Sequence, residues 1–251
     1  MKNLLSVFVL FLSFFAYSGA NDIYLTQTGT GLTLSIDQIG ATNKVGTSQA
    51  RVIVSGASMT IDLDQIGDSN TIAASILQAA SSSWTYSQTG SNGSATFAVG
   101  GTGDVAQSDF DWASSGGDGN ILVFTQGAAA TATGGNNDFA ITGASNNLNV
   151  TCEVVGCINN WTVSGNSNDI DTSQAGDADS SITATVTGGS NNIDVVQSGD
   201  QHTVALTHTG SSMVIDIAQT DTASSNVANL LLQASGGSGS TINIDQCASG
   251  C

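Results

Sequence analysis

The chain repeats a short pattern every eleven residues, and this period constrains the fold more than any other feature. The unit reads Asn-x-ϕ-x-ϕ-x-Gln-x-Gly-x-x, where ϕ is apolar, with good copies at 21–29 and 168–176. Its Gln position recurs at steps of 11 or 12 through Ile141, Cys152, Val163, Gln174, Val186, Gln197, His208 and Gln219. A strict period of two with a glycine after each run predicts strands of about six or seven residues joined by short turns.

Such strands form either a meander or the coils of a solenoid, and the recurrence of the same residue types at the same position favours the solenoid. Stacked coils place identical residues of neighbouring coils about 4.8 Å apart, so inward Asn and Gln side chains would form ladders of hydrogen-bonded amides. A ladder avoids the roughly 1–3 kcal/mol that each buried, unsatisfied amide would cost. The alternative is that these amides are exposed and only flank the turns. We predict an all-β fold: a β-solenoid of stacked strand-turn-strand coils built from ~11-residue half-repeats.

The first twenty residues have the form of a secretory signal peptide: Lys2, a mostly apolar run over 4–17, and a small-residue site at 18–20. We expect 1–20 to be removed and 21–251 to form one solenoid domain of a secreted, extracellular or cell-surface protein. An uncleaved membrane anchor is the alternative. The repeat step stretches to between 15 and 19 residues from Gln88 to Ile141, which predicts an irregular, loop-rich section around 79–140.

The charge balance narrows the partners. Past residue 20 the chain holds two positive residues, Lys44 and Arg51, against twenty acids. Such a surface repels nucleic acid and anionic lipid, so we expect no nucleic-acid partner. No later segment is apolar enough for membrane insertion. The acids either attract divalent cations or keep the chain soluble.

The motif Gln-x-Gly-x-x-Asn, at 38–43 and 65–70, resembles the curlin repeat of bacterial curli subunits. The resemblance covers most of 21–78 and 141–251. It implies coils of two half-repeats stacked into a β-solenoid, in subunits that are secreted and polymerise into extracellular amyloid fibres for adhesion and biofilm matrix. By position it implies ladder residues Gln27, Gln38, Gln65, Gln174, Gln197, Gln219, Asn43, Asn70, Asn146, Asn168 and Asn191. The chain departs from the family where ladder positions hold Cys152, Val163, Val186 and His208, and where no export-targeting stretch precedes the first repeat.

The resemblance implies a structural function: a curli-like fibre subunit, or a fibre-associated component, that assembles by stacking of its Asn- and Gln-laddered rungs. The implied partners are further copies of the chain, other curlin-like subunits and an outer-membrane export machinery. The alternative is a monomeric cell-surface adhesin or binding module on a capped solenoid. We expect no enzyme, because the two histidines, His202 and His208, fall at ladder positions and no Ser/His/Asp arrangement stands out.

Four cysteines in an exported chain predict disulfides. Cys152 takes a Gln position and Cys157 the Asn position five later, so the pair faces itself across one turn. Cys247 and Cys251 would tie off the C-terminal end in the same way. Zinc binding is the alternative, but the spacings do not fit a zinc finger.

Three outward acids, Asp171, Asp194 and Asp216, each precede a ladder glutamine by three residues. Stacked like charges destabilise neighbouring strands, so calcium is a candidate cofactor here. The alternative, which we favour, is that they are solvated and oppose uncontrolled stacking. An ice-binding face would need a ladder of Thr-x-Thr, and the sequence shows this motif only sporadically, at Thr131/Thr133 and Thr183/Thr185/Thr187.

Overall fold

A computed structural model describes residues 9–15, 21–23, 25–40, 42–46, 52–67, 69–78, 82–90, 93–99, 109–117, 120–127, 135–153, 155–176, 180–199, 201–221, 229–235 and 239–248. The fold is a parallel β-solenoid, which confirms the predicted fold class. Two series of parallel strands, here called face 1 and face 2, run along the solenoid and enclose a shared interior.

Face 1 contains ten strand segments in order: β1 (Val9–Phe15), β4 (Thr33–Ile39), β7 (Thr60–Ile66), β9 (Ser83–Thr89), β11 (Asp109–Gly117), β13 (Asn136–Gly143), β15 (Ile158–Ser164), the first parts of β17 (Ser181–Gly199) and β18 (Thr203–Asp221), and β19 (Asn229–Ser235). Face 2 contains β2 (Asn21–Ile23), β3 (Thr26–Thr28), β5 (Asn43–Val45), β6 (Val52–Ser55), β8 (Thr71–Gln78), β10 (Ser94–Val99), β12 (Asn120–Gln126), β14 (Ser145–Cys152), β16 (Ser167–Gly176), the second parts of β17 and β18, and β20 (Thr241–Ala248).

One coil consists of a face 1 strand followed by a face 2 strand, and the register fixes its length. Gln197 is paired with Gln219, 22 residues on, and Gln38 with Gln65, 27 residues on. The turn glycine of the repeat permits this stacking at close range. A Cβ on Gly67 would lie 1.6 Å from the carbonyl oxygen of Gly40, so a side chain there would push neighbouring coils apart.

The interior is filled by every second residue of each strand. In β7 the side chains of Ile61, Leu63 and Gln65 are buried while their neighbours point outward. This follows from the strand period of two. Each fully buried Ile or Leu contributes about 1.5–3 kcal/mol relative to an exposed one, so the apolar rows drive the stacking and the polar rows select its register.

In the section from 79 to 140, expected to be irregular, the described strands continue the same two faces, and the residues between them, where loops are expected, lie outside the described part of the chain. Strands β9 to β12 keep the parallel register, with one irregularity between Ser114 and Gly117. Large rings fill the core here, including Trp84, Tyr86 and Trp112. Aromatic rings therefore replace part of the aliphatic and amide pattern, which explains why the eleven-residue motif fades in this section although the coils persist.

Residues expected to be a removable leader form the first strand of the full chain. β1 pairs in parallel with β4, with Leu10 opposite Leu34 and Leu12 opposite Ile36. An apolar run beside the free edge of β4 has both the composition and the open partner for strand pairing. Removal of 1–20 stays a prediction. No helix in the described part of the chain is long and apolar enough to cross a membrane.

Candidate functional site

The most continuous polar feature is a column of buried glutamines on face 2. Neighbouring coils place Gln126, Cys152, Gln174, Gln197, Gln219 and Gln246 in one column. From Gln197 onward each Nε2 donates to the Oε1 of the preceding glutamine, at 2.6 Å for Gln197, 2.7 Å for Gln219 and 2.7 Å for Gln246. Every donor thus meets an acceptor one coil away, so the column specifies register as well as satisfying the amides.

Face 1 carries a second glutamine column, confined to the first coils. It runs from Gln38 through Gln65 to Gln88, and Gln65 Nε2 donates to Gln38 Oε1 at 2.7 Å. Tyr86 Oη donates to Gln65 Oε1 at 2.9 Å, so this carbonyl is satisfied by a tyrosine of the next coil. Burial raises the pKa of Tyr86 well above its usual value, which keeps the donor protonated. Predicted Gln27 lies in the face 2 column opposite Val54, and its side chain is outside the described residues.

Of the residues that depart from the repeat, Val163, Val186 and His208 share one column on face 1, whereas Cys152 lies in the glutamine column of face 2. Ile141, Val163, Val186 and His208 follow one another along face 1. The eleven-residue alignment alternates between the two faces, so it mixes this apolar column with the glutamine column of face 2. Val163, Val186 and His208 therefore do not break the face 2 ladder, contrary to what the alignment suggests. The glutamine ladder changes face along the solenoid.

The predicted asparagines all lie in one column at the start of the face 2 strands, but they bond in two ways. Asn146 Nδ2 donates to Asn168 Oδ1 at 3.0 Å, and Asn168 Nδ2 donates to Asn191 Oδ1 at 2.8 Å. Asn43 and Asn70 instead donate to backbone carbonyls, at 2.9 Å to Ile66 and 3.0 Å to Gly67. Asn146 and Asn168 also donate to backbone carbonyls, at 3.3 Å to Ser164 and 3.5 Å to Thr187, so contacts with the backbone are common to both groups.

The two histidines lie inside the solenoid. His208 is 1% exposed and its Nε2 is hydrogen-bonded to Asn191 Nδ2, so the imidazole ends the run of asparagine bonds. Burial lowers the pKa of His208 below its usual value, which favours a neutral ring that accepts this bond. His202 is also buried, and neither of its ring nitrogens has a hydrogen-bond partner among the described residues.

Cys152 and Cys157 form a disulfide, as predicted, with their Cα atoms 6.5 Å apart. Both side chains are fully buried, and Cys152 occupies the glutamine column between Gln126 and Gln174. Because Cys152 and not a glutamine lies opposite Gln126 in the next coil, Gln126 Oε1 accepts from Asn137 Nδ2 at 2.9 Å. The disulfide closes a turn at the point where the ladder begins. Cys247 lies in β20, and its predicted partner Cys251 lies outside the described residues.

The three calcium candidates form an outward column on face 2. Asp171, Asp194 and Asp216 are opposite one another on successive strands, and Asn243 ends the column by donating from Nδ2 to Asp216 Oδ1 at 3.2 Å. Partial burial raises the pKa of Asp171 and Asp194, and neighbouring aspartates raise it further. Among the described residues no group of three or more His, Cys, Asp or Glu is placed to hold a metal ion.

The C-terminal coil has no further coil stacked on its outer side among the described residues. β20 pairs with β18 on one side only, and its inward-column residues Ile242 and Ile244 are 45% and 40% exposed. Gln246 continues the ladder and is exposed, and no described residue donates to its Oε1. Among the described residues, the end of the solenoid therefore presents a free strand edge, apolar side chains and an unused ladder acceptor together.

Comparison with known protein families, with curated proteins and with solved structures finds no match to this chain. The likeness to the curlin repeat consequently rests on the repeat motif alone.

Proposed function

We propose that the chain is a secreted structural protein that assembles end to end into curlin-like fibres of the extracellular matrix, or adds to such fibres. The observation that carries this proposal is the terminal coil. An incoming copy would pair its backbone with β20, cover Ile242 and Ile244, and donate to Gln246 Oε1. Assembly then extends the strand ladder and the amide ladder at once.

Ladder geometry gives the stacking its specificity. In the last three coils of the glutamine column each Nε2 donates to the glutamine of the preceding coil, so an added coil needs a donor at the matching position. A copy shifted along the strand by one residue would set an outward side chain against the ladder, leaving Gln246 unpaired. The resemblance adds other curlin-like subunits and an outer-membrane export machinery as partners.

The test compares the chain lacking residues 1–20 with two variants of matched exposure. Ile244→Lys places a charge on the terminal coil, whereas Val196→Lys places it on the outside of face 2, where Val196 is 41% exposed. We expect seeded growth in thioflavin T fluorescence and fibres by electron microscopy for the parent and for Val196→Lys, with growth suppressed for Ile244→Lys. Equal growth of both variants would contradict stacking through this coil.

A monomeric adhesin or binding module is the second candidate. Cys247 lies on the terminal strand, where a disulfide to Cys251 would help to close the end. This candidate predicts that the parent protein stays monomeric with a folded β signature, however long it is incubated or seeded.

A further inference from the structure

Charge is distributed unequally between the two faces in the second half of the solenoid. On face 1 the strand segments β15, 181–187, 203–209 and β19 contain no Asp, Glu, Lys or Arg. On face 2 the neighbouring segments carry Asp169, Asp171, Asp194, Asp216 and Asp245. In a chain with twenty acids, this leaves one uncharged surface that does not attract cations.

The same uncharged surface carries hydroxyl groups in two parallel columns. Thr162, Thr185 and Thr207 are opposite one another on three successive coils, as are Ser164, Thr187 and Thr209. We call these six residues the hydroxyl face. Five of them are exposed, and Ser164 is half-buried. The second column continues to Ser235, whose Oγ donates to Thr209 Oγ1 at 3.4 Å.

This face is not apparent in the sequence because its members alternate with unrelated half-repeats. A hydroxyl-x-hydroxyl motif occurs in three alternate half-repeats, as Thr-Val-Ser, Thr-Val-Thr and Thr-His-Thr, and the middle residues are the buried Val163, Val186 and His208. Three of the departures from the glutamine pattern, Val163, Val186 and His208, therefore lie under the hydroxyl face. Thr131 and Thr133 lie outside the described residues.

A groove of about 680 Å³ runs beside the second hydroxyl column. One wall is Ser164, Thr187, Thr209 and Ser235, and Gly165, Gly188 and Gly210 line the adjoining turns. A Cβ on Gly188 would come within 2.2 Å of the carbonyl oxygen of Gly165, so these turns must remain glycine to stack. The hydroxyl column consequently borders a trough parallel to the solenoid axis instead of a ridge of side chains.

The array has the regularity of a lattice. Hydroxyls repeat about 4.8 Å apart along the axis and about 6.7 Å apart along each strand, at two residues of about 3.3–3.4 Å. The parallel hydrogen-bonded strands and the buried ladders of face 2 fix these positions before any ligand arrives. A preordered array loses little conformational entropy on binding an ordered surface.

We propose that the hydroxyl face binds ice. Its threonines supply a hydroxyl that bonds to lattice water and a methyl that borders it, at a spacing that repeats in two dimensions. A glycan surface fits less well, because Trp161, the aromatic residue of these four segments, is 2% exposed and no ring is available for stacking on sugars. The surface also lacks the charges that would bind an ion. This inference does not depend on fibre assembly.

The experiment measures how much protein enters a slowly growing ice hemisphere and how strongly the protein slows ice recrystallisation. The chain lacking 1–20 is compared with Thr187→Tyr and Thr185→Lys, which disrupt the array, and with Ser173→Tyr, an exposed position on face 2. We expect incorporation into ice for the parent and for Ser173→Tyr, and at least about a tenfold loss, equivalent to 1.4 kcal/mol, for the two face 1 variants.

Circular dichroism of each variant establishes whether the β fold is retained. Two face 1 variants of different chemistry are used so that the test can still be made if one of them fails to fold. Absence of the parent protein from the ice overturns the proposal, as does equal incorporation of face 1 and face 2 variants. Binding of the parent to crystalline cellulose or chitin but not to ice, with loss in the face 1 variants, overturns it in favour of a glycan ligand.

Discussion

Gln197→Leu tests whether the amide ladder stabilises the solenoid. Gln197 is fully buried, donates to Gln174 Oε1 at 2.6 Å and accepts from Gln219 Nε2 at 2.7 Å. Leucine has a similar volume but neither bonding function, so Gln174 loses a donor and Gln219 loses an acceptor. Each orphaned buried group costs about 1–3 kcal/mol, which sums to about 2–6 kcal/mol. That is a large share of the 5–15 kcal/mol by which domains are usually stable.

Gln246→Leu is the matched control, because Gln246 occupies the same column, makes one ladder bond and is exposed. It leaves one buried group, Gln219 Oε1, without its donor, so we expect it to cost about 1–3 kcal/mol, half the cost of Gln197→Leu. Thermal unfolding followed by far-UV circular dichroism compares the two, with about 2–4 °C expected per kcal/mol for a chain of this size. Equal shifts in the melting temperatures of the two variants would refute the ladder argument.

Three further predictions concern charge and processing. Burial lowers the pKa of His208, so its neutral ring stabilises the fold fully above the unfolded-state pKa near 6.5. The free energy of unfolding should decrease as the pH falls below that value. The variant His208→Gln should flatten this part of the curve of stability against pH. Partial burial and the charge of Asp216 raise the pKa of Asp194, so the carboxylate is destabilising at pH 7. Asp194→Asn should therefore raise the melting temperature by the equivalent of a few tenths of a kcal/mol. A larger rise in the melting temperature of the parent on adding millimolar calcium would instead support a calcium site. A chain that keeps residues 1–20 should fibrillise more slowly than the chain from 21, because β1 covers the edge of β4; equal lag times in thioflavin T assays would show that this edge is not used.

The sequence was sufficient to predict the solenoid because its information is periodic. The recurrence of Gln174, Gln197 and Gln219 requires stacked strands with like on like, and the five-residue spacing of Cys152 and Cys157 matches one turn. What it could not resolve is which half-repeats share a face, since an eleven-residue alignment treats Gln197 and Val186 as equivalent although they occupy different columns.

Local competition for hydrogen bonds also lay beyond the sequence. Asn43 and Asn168 have the same place in the repeat, yet one donates to a backbone carbonyl and the other to the next asparagine. Likewise, Thr162, Thr185 and Thr207 become neighbours only through the 22- and 23-residue coils that bring them into register.

Fibre diffraction from aligned assemblies of the chain lacking 1–20 tests end-to-end stacking, because stacking of coils fixes the strand direction relative to the fibre. End-to-end stacking predicts a strong reflection near 4.8 Å along the fibre axis, with sheet packing near 10 Å at right angles to it. A protein that remains monomeric at all concentrations, or fibres whose 4.8 Å repeat runs across the axis, would contradict end-to-end stacking through β20.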